Sequence, residues 1–251
     1  EQHPAHVKDE FLKDGIAKLY EKIDSRLGKV RQVLDPGTTL IVMSDHGFAP
    51  FYWGVNLNTW LLQKGYITLK DPSQQMSPDS FGNVDWTRTR AYAAGLNGLY
   101  LNLKGREKQG IVEPGPQQQA LLQELEQALL AMKDPRNNNQ VVSLMLQPGR
   151  DFHGPEKDHG PDLLVGYGHG YRASWDSPLG MFPKEVFVDN RSAWSGDHCI
   201  DNRLVPGILV TNQQITQDSP TLADLTVAVL DEFGIKPPKD LVGKDILEPK
   251  K

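Results

Sequence analysis

The most informative stretch of this chain is TTLIVMSDHGF, residues 38–48. A short apolar run of β-branched residues delivers Asp45 and His46 to the end of a strand, and Gly47 follows at once. The run is too short to span a membrane, and its composition is typical of a strand buried on both faces in a parallel α/β sheet. Such sheets bind ligands at the carboxyl ends of their strands. We therefore expect Asp45 and His46 to face a ligand there.

A carboxylate next to an imidazole suits a divalent metal ion. Zinc accepts both donors, and manganese does so when more oxygen ligands are present. The same Asp-His-Gly sequence is also good turn chemistry, so a surface turn without a ligand explains it equally well. The residues alone leave both interpretations open.

Length and composition narrow the possible classes of protein. The 251 residues can bury a substantial core, and we predict one α/β domain over residues 1–251 with a loop or small insertion around residues 68–110. The formal net charge of −5 disfavours a nucleic-acid partner, and no segment is apolar over the length of a membrane span. Cys199 is the only cysteine, so an intrachain disulfide is excluded. The cysteine content therefore does not indicate the cellular compartment of the protein.

Hydrophobic periodicity predicts helices that alternate with short strands. Apolar residues recur every three or four positions between Leu12 and Leu34, which indicates a long amphipathic helix before Pro36. Further helices are predicted at residues 56–64, 117–133 and 222–233. Strands are predicted at residues 88–92, 98–103, 141–146, 163–167 and 208–211. This alternation is typical of an α/β protein.

The chain has seven histidines, and a metal site needs some of them to converge. His198 follows Gly196 and Asp197 just before a predicted strand, where the glycine allows close approach and the aspartate can orient the imidazole. A hydrogen-bonded loop histidine is the alternative. Turn chemistry or a solvated terminus explains the others, namely His3, His6, His153, His159 and His169. No Walker loop, Gly-x-Ser-x-Gly elbow or zinc-protease helix is present.

Five motifs occur in an order that is informative about the family of the chain. They are Ser44-Asp45-His46-Gly47, Pro161-Asp162-Leu163-Leu164-Val165-Gly166-Tyr167, Gly196-Asp197-His198, Val205-Pro206-Gly207-Ile208-Leu209 and the terminal Asp224-Leu225-Thr226-Val227-Ala228-Val229-Leu230. From residue 38 onward, this order resembles the carboxyl-terminal portion of the alkaline phosphatase superfamily, and within it the type I phosphodiesterase and nucleotide pyrophosphatase group. The ordered set is a stronger signal than any of the motifs alone.

The resemblance implies an alkaline-phosphatase-like three-layer α/β/α sandwich around a mainly parallel sheet. It makes Asp45 and His46 ligands of one divalent ion and His198 a ligand of a second, with Zn²⁺ as the expected metal and Mn²⁺ as the alternative. The two ions would activate the attacking oxygen and clamp a phosphoryl oxygen. The implied function is metal-dependent hydrolysis of a small phosphoester, such as a nucleotide, by a phosphodiesterase or nucleotide pyrophosphatase.

The family pattern also contains an amino-terminal strand with a metal-binding Asp, a Thr or Ser nucleophile and a later Asp-His pair. None of these is recognisable here. We therefore expect the chain to be a carboxyl-terminal portion of such an enzyme that lacks the amino-terminal strands. Its catalytic residues are then unknown, and the chain alone should show little turnover. An apolar face left uncovered would favour a homodimer.

Two alternatives remain. One is another hydrolase of the superfamily, such as a sulfatase, phosphonate hydrolase or phosphomutase, although Cys199 does not lie in a sulfatase-type amino-terminal motif. The other is a non-catalytic binding module that keeps the fold.

Overall fold

A computed structural model describes residues 3–76, 81–152 and 154–248, and these residues group into two compact units. Unit 1 consists of Glu1–Val7 and Phe48–Pro206, and unit 2 consists of Lys8–Gly47 and Gly207–Lys251. The prediction of a single domain over the whole chain stays a prediction.

The described residues form four α-helices and ten strands. In chain order these are α1 (Gly15–Val33), β1 (Ile41–Met43), β2 (Ala49–Val55), α2 (Leu57–Gln63), β3 (Ala91–Ala94), β4 (Gly98–Leu101), α3 (Pro116–Leu130), β5 (Val142–Leu146), β6 (Leu163–Tyr167), β7 (Gly170–Ala173), β8 (Phe187–Asp189), β9 (Gly196–Asp197), β10 (Leu209–Thr211) and α4 (Leu222–Glu232). The predicted α/β class is confirmed.

Unit 1 contains two four-stranded sheets. The first has the order β3-β4-β6-β5 and is antiparallel throughout. In the second, β2 pairs parallel with β7 and antiparallel with both β8 and β9. The turn between β3 and β4 contains Gly95 at a φ of +69°, a left-handed conformation that glycine adopts without steric cost. This turn makes the two strands a hairpin.

The prediction of a mainly parallel sheet is wrong for the described strands. Among the named strands, β2 and β7 form the one parallel pair, and β1 pairs antiparallel with β10. Nor is β1 buried on both faces, since Ile41 and Val42 are half-buried and Met43 is exposed. A short turn accounts only for the antiparallel pairing of β3 with β4, whereas β1 and β10 are far apart in the sequence, so tertiary packing and not a local turn sets the direction of their pairing. A β-branched run predicts a strand but not the direction of its partner.

The core of unit 1 is formed by the inner faces of α2 and α3 and by the strands. Leu121, Leu125 and Leu129 repeat every four residues along α3, and all three are buried. This spacing places them on one helical face. Leu99 in β4 and Leu163 in β6 are fully buried in the same core.

Unit 2 has a smaller core of its own. Leu225, Ala228, Ile246 and Leu247 are buried, and Ile41 packs against them. The long amphipathic helix predicted from the sequence is confirmed as α1, although none of its residues is buried. Within the described parts of the chain, no helix combines the length and hydropathy that a membrane span requires.

Asp224 holds together the start of α4 and the tail that follows it. Its Oδ1 accepts a hydrogen bond from the Lys244 amide at 2.8 Å, and its Oδ2 accepts from the Thr221 amide and hydroxyl, both at 2.7 Å. The Lys244 amide, followed by the two Thr221 donors, lowers the pKa of Asp224 from 3.8 to about 2. The carboxylate therefore stabilises the folded chain above about pH 4, and this stabilisation is lost as the pH falls toward 2.

We predict that Asp224→Asn destabilises the chain by about 1–2 kcal/mol at pH 7, because the charge-assisted hydrogen bonds to α4 and the tail are weakened. Urea denaturation followed by circular dichroism measures the loss. The difference from wild type should shrink between pH 4 and pH 2, and the exposed Asp240→Asn should change little at either pH. A difference that stays constant with pH would contradict the assignment.

Candidate metal centre

Asp45 and His46 lie directly after β1 in unit 2, where backbone contacts hold the strand end. The Ser44 amide donates to the Ile208 carbonyl at 3.1 Å, and the Ile208 amide donates to Ser44 Oγ at 3.0 Å. Gly207 allows this approach, because a Cβ at that position would lie 2.5 Å from the Ser44 carbonyl oxygen. The backbone immediately before the predicted ligands is therefore fixed.

Hydrogen bonds within the Asp-His-Gly segment orient both predicted ligands. His46 Nδ1 lies 2.8 Å from the Gly47 carbonyl oxygen, and Asp45 Oδ1 accepts from the His46 amide at 3.0 Å. Because a carbonyl oxygen can only accept, Nδ1 carries a proton, and in the neutral imidazole the lone pair is then on Nε2. A histidine that coordinates a metal commonly donates its other ring N–H in this way.

The spacing of the two donor atoms fits a shared metal ion. His46 Nε2 lies 3.4 Å from Asp45 Oδ2, and the two side chains are 32% and 72% exposed. Tetrahedral zinc with bonds of 2.0–2.2 Å places neighbouring ligand atoms about 3.3–3.6 Å apart. The pair can therefore supply two ligands of one ion from a solvent-accessible position.

His198 lies in unit 1 and follows β9. The Asp197 carboxylate is buried, and its Oδ1 accepts from the amides of His198 and Cys199 at 2.8 and 2.9 Å. The His198 ring nitrogen Nδ1 is 3.9 Å from that oxygen, and the ring lies 5.6 Å from the ring of Phe48. Asp197 thus holds the backbone of the loop through two amides, and its proposed role in orienting the imidazole stays a prediction.

Asp197, His198 and Cys199 are the one group of three potential metal donors found among the described residues, with donor atoms within 4.8 Å of one another. Burial, followed by the nearby Asp197 carboxylate, raises the pKa of the Cys199 thiol, which disfavours the thiolate that metals bind. Both oxygens of Asp197 already accept N–H donors. His198 is therefore the best-suited ligand of the three.

The predicted ligands are divided between the two units. Asp45 and His46 belong to unit 2 and His198 belongs to unit 1, so their membership of one dinuclear centre stays a prediction.

The other histidines lie in different surroundings. His159 is exposed, and its Nδ1 lies 2.6 Å from Glu156 Oε2. His3 lies 3.2 Å from the Asn190 amide nitrogen, and His169 contributes with Tyr52 to the lining of a cavity of about 550 Å³ in unit 1. The predicted loop histidine His153 lies outside the described residues. These contacts give no reason to add a histidine to the predicted ligands.

Asp162, from the Pro161-Asp162 motif, has a structural role in unit 1. Arg106 contacts both of its carboxylate oxygens, at 3.0 and 2.6 Å, and the Leu101 amide donates to Oδ2 at 2.7 Å. The motif therefore anchors β4 and the following turn to the start of β6.

The sequence did not reveal the importance of Arg172. This residue lies in β7, is fully buried, and places Nε 3.1 Å from Asp197 Oδ2. Burial alone would raise the pKa of Asp197, but the Cys199 amide, the Trp194 indole and Arg172 together hold that pKa below its ordinary value. Arg172 escaped notice because β7 was not predicted, although its Gly-Tyr-Arg-Ala sequence follows a glycine turn.

Comparison with known proteins gives a family match. A family model described as type I phosphodiesterase / nucleotide pyrophosphatase matches residues 3–177, well over half of the chain. The matched segment includes Asp45 and His46 and ends before His198. No curated protein matches the chain.

Proposed function

The chain belongs to the type I phosphodiesterase / nucleotide pyrophosphatase family of the alkaline phosphatase superfamily, and from this premise we propose that it forms part of a metal-dependent phosphoester hydrolase. The hydrolase class follows from the family. The metal dependence and the roles of individual residues are our proposal, as is the superfamily's three-layer α/β/α sandwich as the architecture of the complete enzyme.

The observation that carries the proposal is the paired geometry of Asp45 and His46. Their donor atoms are 3.4 Å apart, and with Nδ1 donating to the Gly47 carbonyl, the neutral His46 ring presents its lone pair on Nε2. We assign these two residues to one ion and His198 to a second. When bound, divalent ions stabilise the negative charge that develops on a phosphoryl group and lower the pKa of the attacking group.

The remaining contacts of this chain keep the ligands in position. In unit 2, hydrogen bonds between Ser44 and Ile208 hold the strand end. In unit 1, Asp197 accepts hydrogen bonds from the amides of His198 and Cys199. None of the chain's serines or threonines matches the family's nucleophile motif. We therefore assign no catalytic residue, and in the proposed hydrolase the attacking Thr or Ser comes from elsewhere in the polypeptide.

The proposed substrate is a small phosphodiester or pyrophosphate, such as a nucleotide. The chain carries a net charge of −5, so an anionic substrate is drawn in by bound cations rather than by the overall field of the protein. Zn²⁺ is the proposed metal because one carboxylate and one imidazole at this spacing suit it, and Mn²⁺ is the alternative.

Hydrolysis of bis-p-nitrophenyl phosphate and of p-nitrophenyl phosphate tests the proposed reaction in the protein that contains this chain. We expect a kcat/KM about tenfold or more higher for the diester, which corresponds to about 1.4 kcal/mol of transition-state stabilisation. Removal of metal by EDTA should abolish hydrolysis, and Zn²⁺ or Mn²⁺ should restore it. The 251-residue chain alone should show little turnover. Hydrolysis that is insensitive to EDTA would contradict the metal-dependent mechanism.

A further inference from the structure

A buried arginine in unit 1 lies beside the loop that carries His198. The Arg172 guanidinium has no exposed surface, and it packs 5.0 Å from the ring centre of Phe51 and 4.0 Å from that of Trp175. The two aromatic rings fix its plane by cation–π contact. Its Nε lies 3.1 Å from Asp197 Oδ2, and this is the carboxylate with which it forms an ion pair.

Asp197 connects this arginine to the backbone around His198. Its Oδ1 accepts from the amides of His198 and Cys199, while its Oδ2 accepts from the Trp194 indole at 3.1 Å and faces Arg172. The carboxylate therefore ties three positions of one loop to β7. The direction in which the His198 side chain leaves the backbone depends on those amide contacts.

The buried ion pair of Arg172 and Asp197 contributes little to the stability of the fold. Nε, Nη1 and Nη2 of Arg172 make no hydrogen bond within the described part of the chain, and neither does the buried hydroxyl of Tyr167. Unsatisfied buried donors are costly, and a buried ion pair often contributes less stability than apolar side chains of the same volume. Stabilisation of the fold therefore explains the buried Arg172 charge less well than the position that this charge imposes on the Asp197 carboxylate.

We propose that Arg172 is a positioning residue, which fixes the Asp197 carboxylate by charge and thereby sets the position of His198 through the amides of residues 198 and 199. The inference rests on the proposed function in one respect, namely that His198 is a metal ligand. Arg172 itself is buried and acts through Asp197, so it is neither a metal ligand nor a substrate contact.

Amide hydrogen exchange in the metal-free 251-residue chain tests the positioning directly. Arg172→Met should speed exchange at the His198 and Cys199 amides by about tenfold or more, because local opening of the loop no longer breaks an ion pair. The Val165 amide in β6, which donates to the Asn97 carbonyl, should exchange at the wild-type rate. Arg172→Lys keeps the charge without the planar guanidinium, so its rates should lie between those of wild type and Arg172→Met.

Two controls separate positioning from general stability. Arg203→Met removes an exposed guanidinium from a similar pair with Asp201 and should leave the His198 and Cys199 amides unchanged. Because Arg172→Met leaves Asp197 buried without its counter-charge, the double variant Arg172→Met/Asp197→Asn covers the case in which the single variant does not fold. It should also exchange quickly at both amides, because it lacks the charge pair.

Three results of the exchange experiment would overturn the proposal: wild-type exchange at both amides in Arg172→Met, equally fast exchange at Val165, or wild-type exchange in the double variant.

A titration with Zn²⁺ separates this inference from the proposed function. If His198 is a ligand, its ring NMR signals should shift in the wild type, and Arg172→Met should weaken that binding by about 10–100-fold, as expected for groups that orient a ligand. Absence of any shift in the wild type would overturn the role of His198 in the proposed function, while the exchange rates would still decide the role of Arg172. Equal Zn²⁺ affinity in wild type and Arg172→Met would overturn the positioning role.

Discussion

Asp45→Ala and His46→Ala should each weaken zinc binding at the strand-end site by at least about 100-fold, because each removes one of two adjacent ligands that the backbone already holds in place. The overall fold should not change, since neither side chain belongs to a hydrophobic core and Asp45 is 72% exposed. Isothermal titration calorimetry with Zn²⁺ measures the binding, and circular dichroism with thermal denaturation measures the fold.

His159→Ala is the matched control for this prediction. It removes an exposed imidazole that, like His46, lies beside a carboxylate, here that of Glu156. Unlike His46, His159 does not follow a strand end held by hydrogen bonds. Its zinc stoichiometry should equal that of the wild type. If Asp45→Ala and His46→Ala also kept the wild-type stoichiometry, the Asp-His-Gly segment would be a surface turn and not a metal site.

Asp162→Ala should destabilise unit 1 by about 2 kcal/mol, because it removes the buried carboxylate from Arg106, which is 34% exposed, and from a buried amide. Arg106 would lose its bidentate carboxylate, and the buried Leu101 amide would lose its acceptor. Zinc binding should remain at the wild-type level in the folded protein, because the carboxylate is committed to these contacts. Urea denaturation and calorimetry measure the two quantities independently.

Asp158→Ala provides the comparison for Asp162. Asp158 is an exposed carboxylate four residues earlier that forms an ion pair with Lys157, so its removal should cost less than about 1 kcal/mol. Loss of zinc from a stable Asp162→Ala protein would instead place the Pro161-Asp162 motif in the metal chemistry and contradict the structural role described for it.

Elements with a clear periodic pattern could be predicted from the sequence. The predicted strand at residues 163–167 coincides with β6, and the predicted helix at residues 222–233 matches α4 to within one residue. Helical periodicity and capping residues such as Thr221 act over a few neighbouring positions, so a single sequence reveals them.

Strands whose pattern is irregular escaped prediction. In β2, Pro50 and Gly54 interrupt an aromatic run, and its pairing with β7 contains a register irregularity between Phe51 and Trp53. Both proline and glycine argue against a central strand, although β2 pairs with three other strands. The direction of strand pairing escaped prediction for a different reason, because it depends on partners distant in the sequence.

The same distinction applies to the site. The contacts that orient Asp45 and His46 are local to three consecutive residues, and the sequence suggested these two residues as a ligand pair. The role of Asp162 depends on Arg106, which lies 56 residues earlier. The buried position of Arg172 beside Asp197 likewise requires β7 to pack next to the loop after β9, which no local pattern indicates.

A Zn²⁺ titration followed by long-range ¹H–¹⁵N correlation spectra of the histidine rings tests whether Asp45 and His46 bind one metal ion. If Asp45 and His46 bind one ion, the Nε2 signal of His46 should shift on addition of Zn²⁺, while Nδ1 keeps the proton that it donates to the Gly47 carbonyl. The shift should be absent in Asp45→Ala at the same zinc concentration. A His46 ring that does not respond to Zn²⁺, or one that responds through Nδ1, would contradict the proposed metal site.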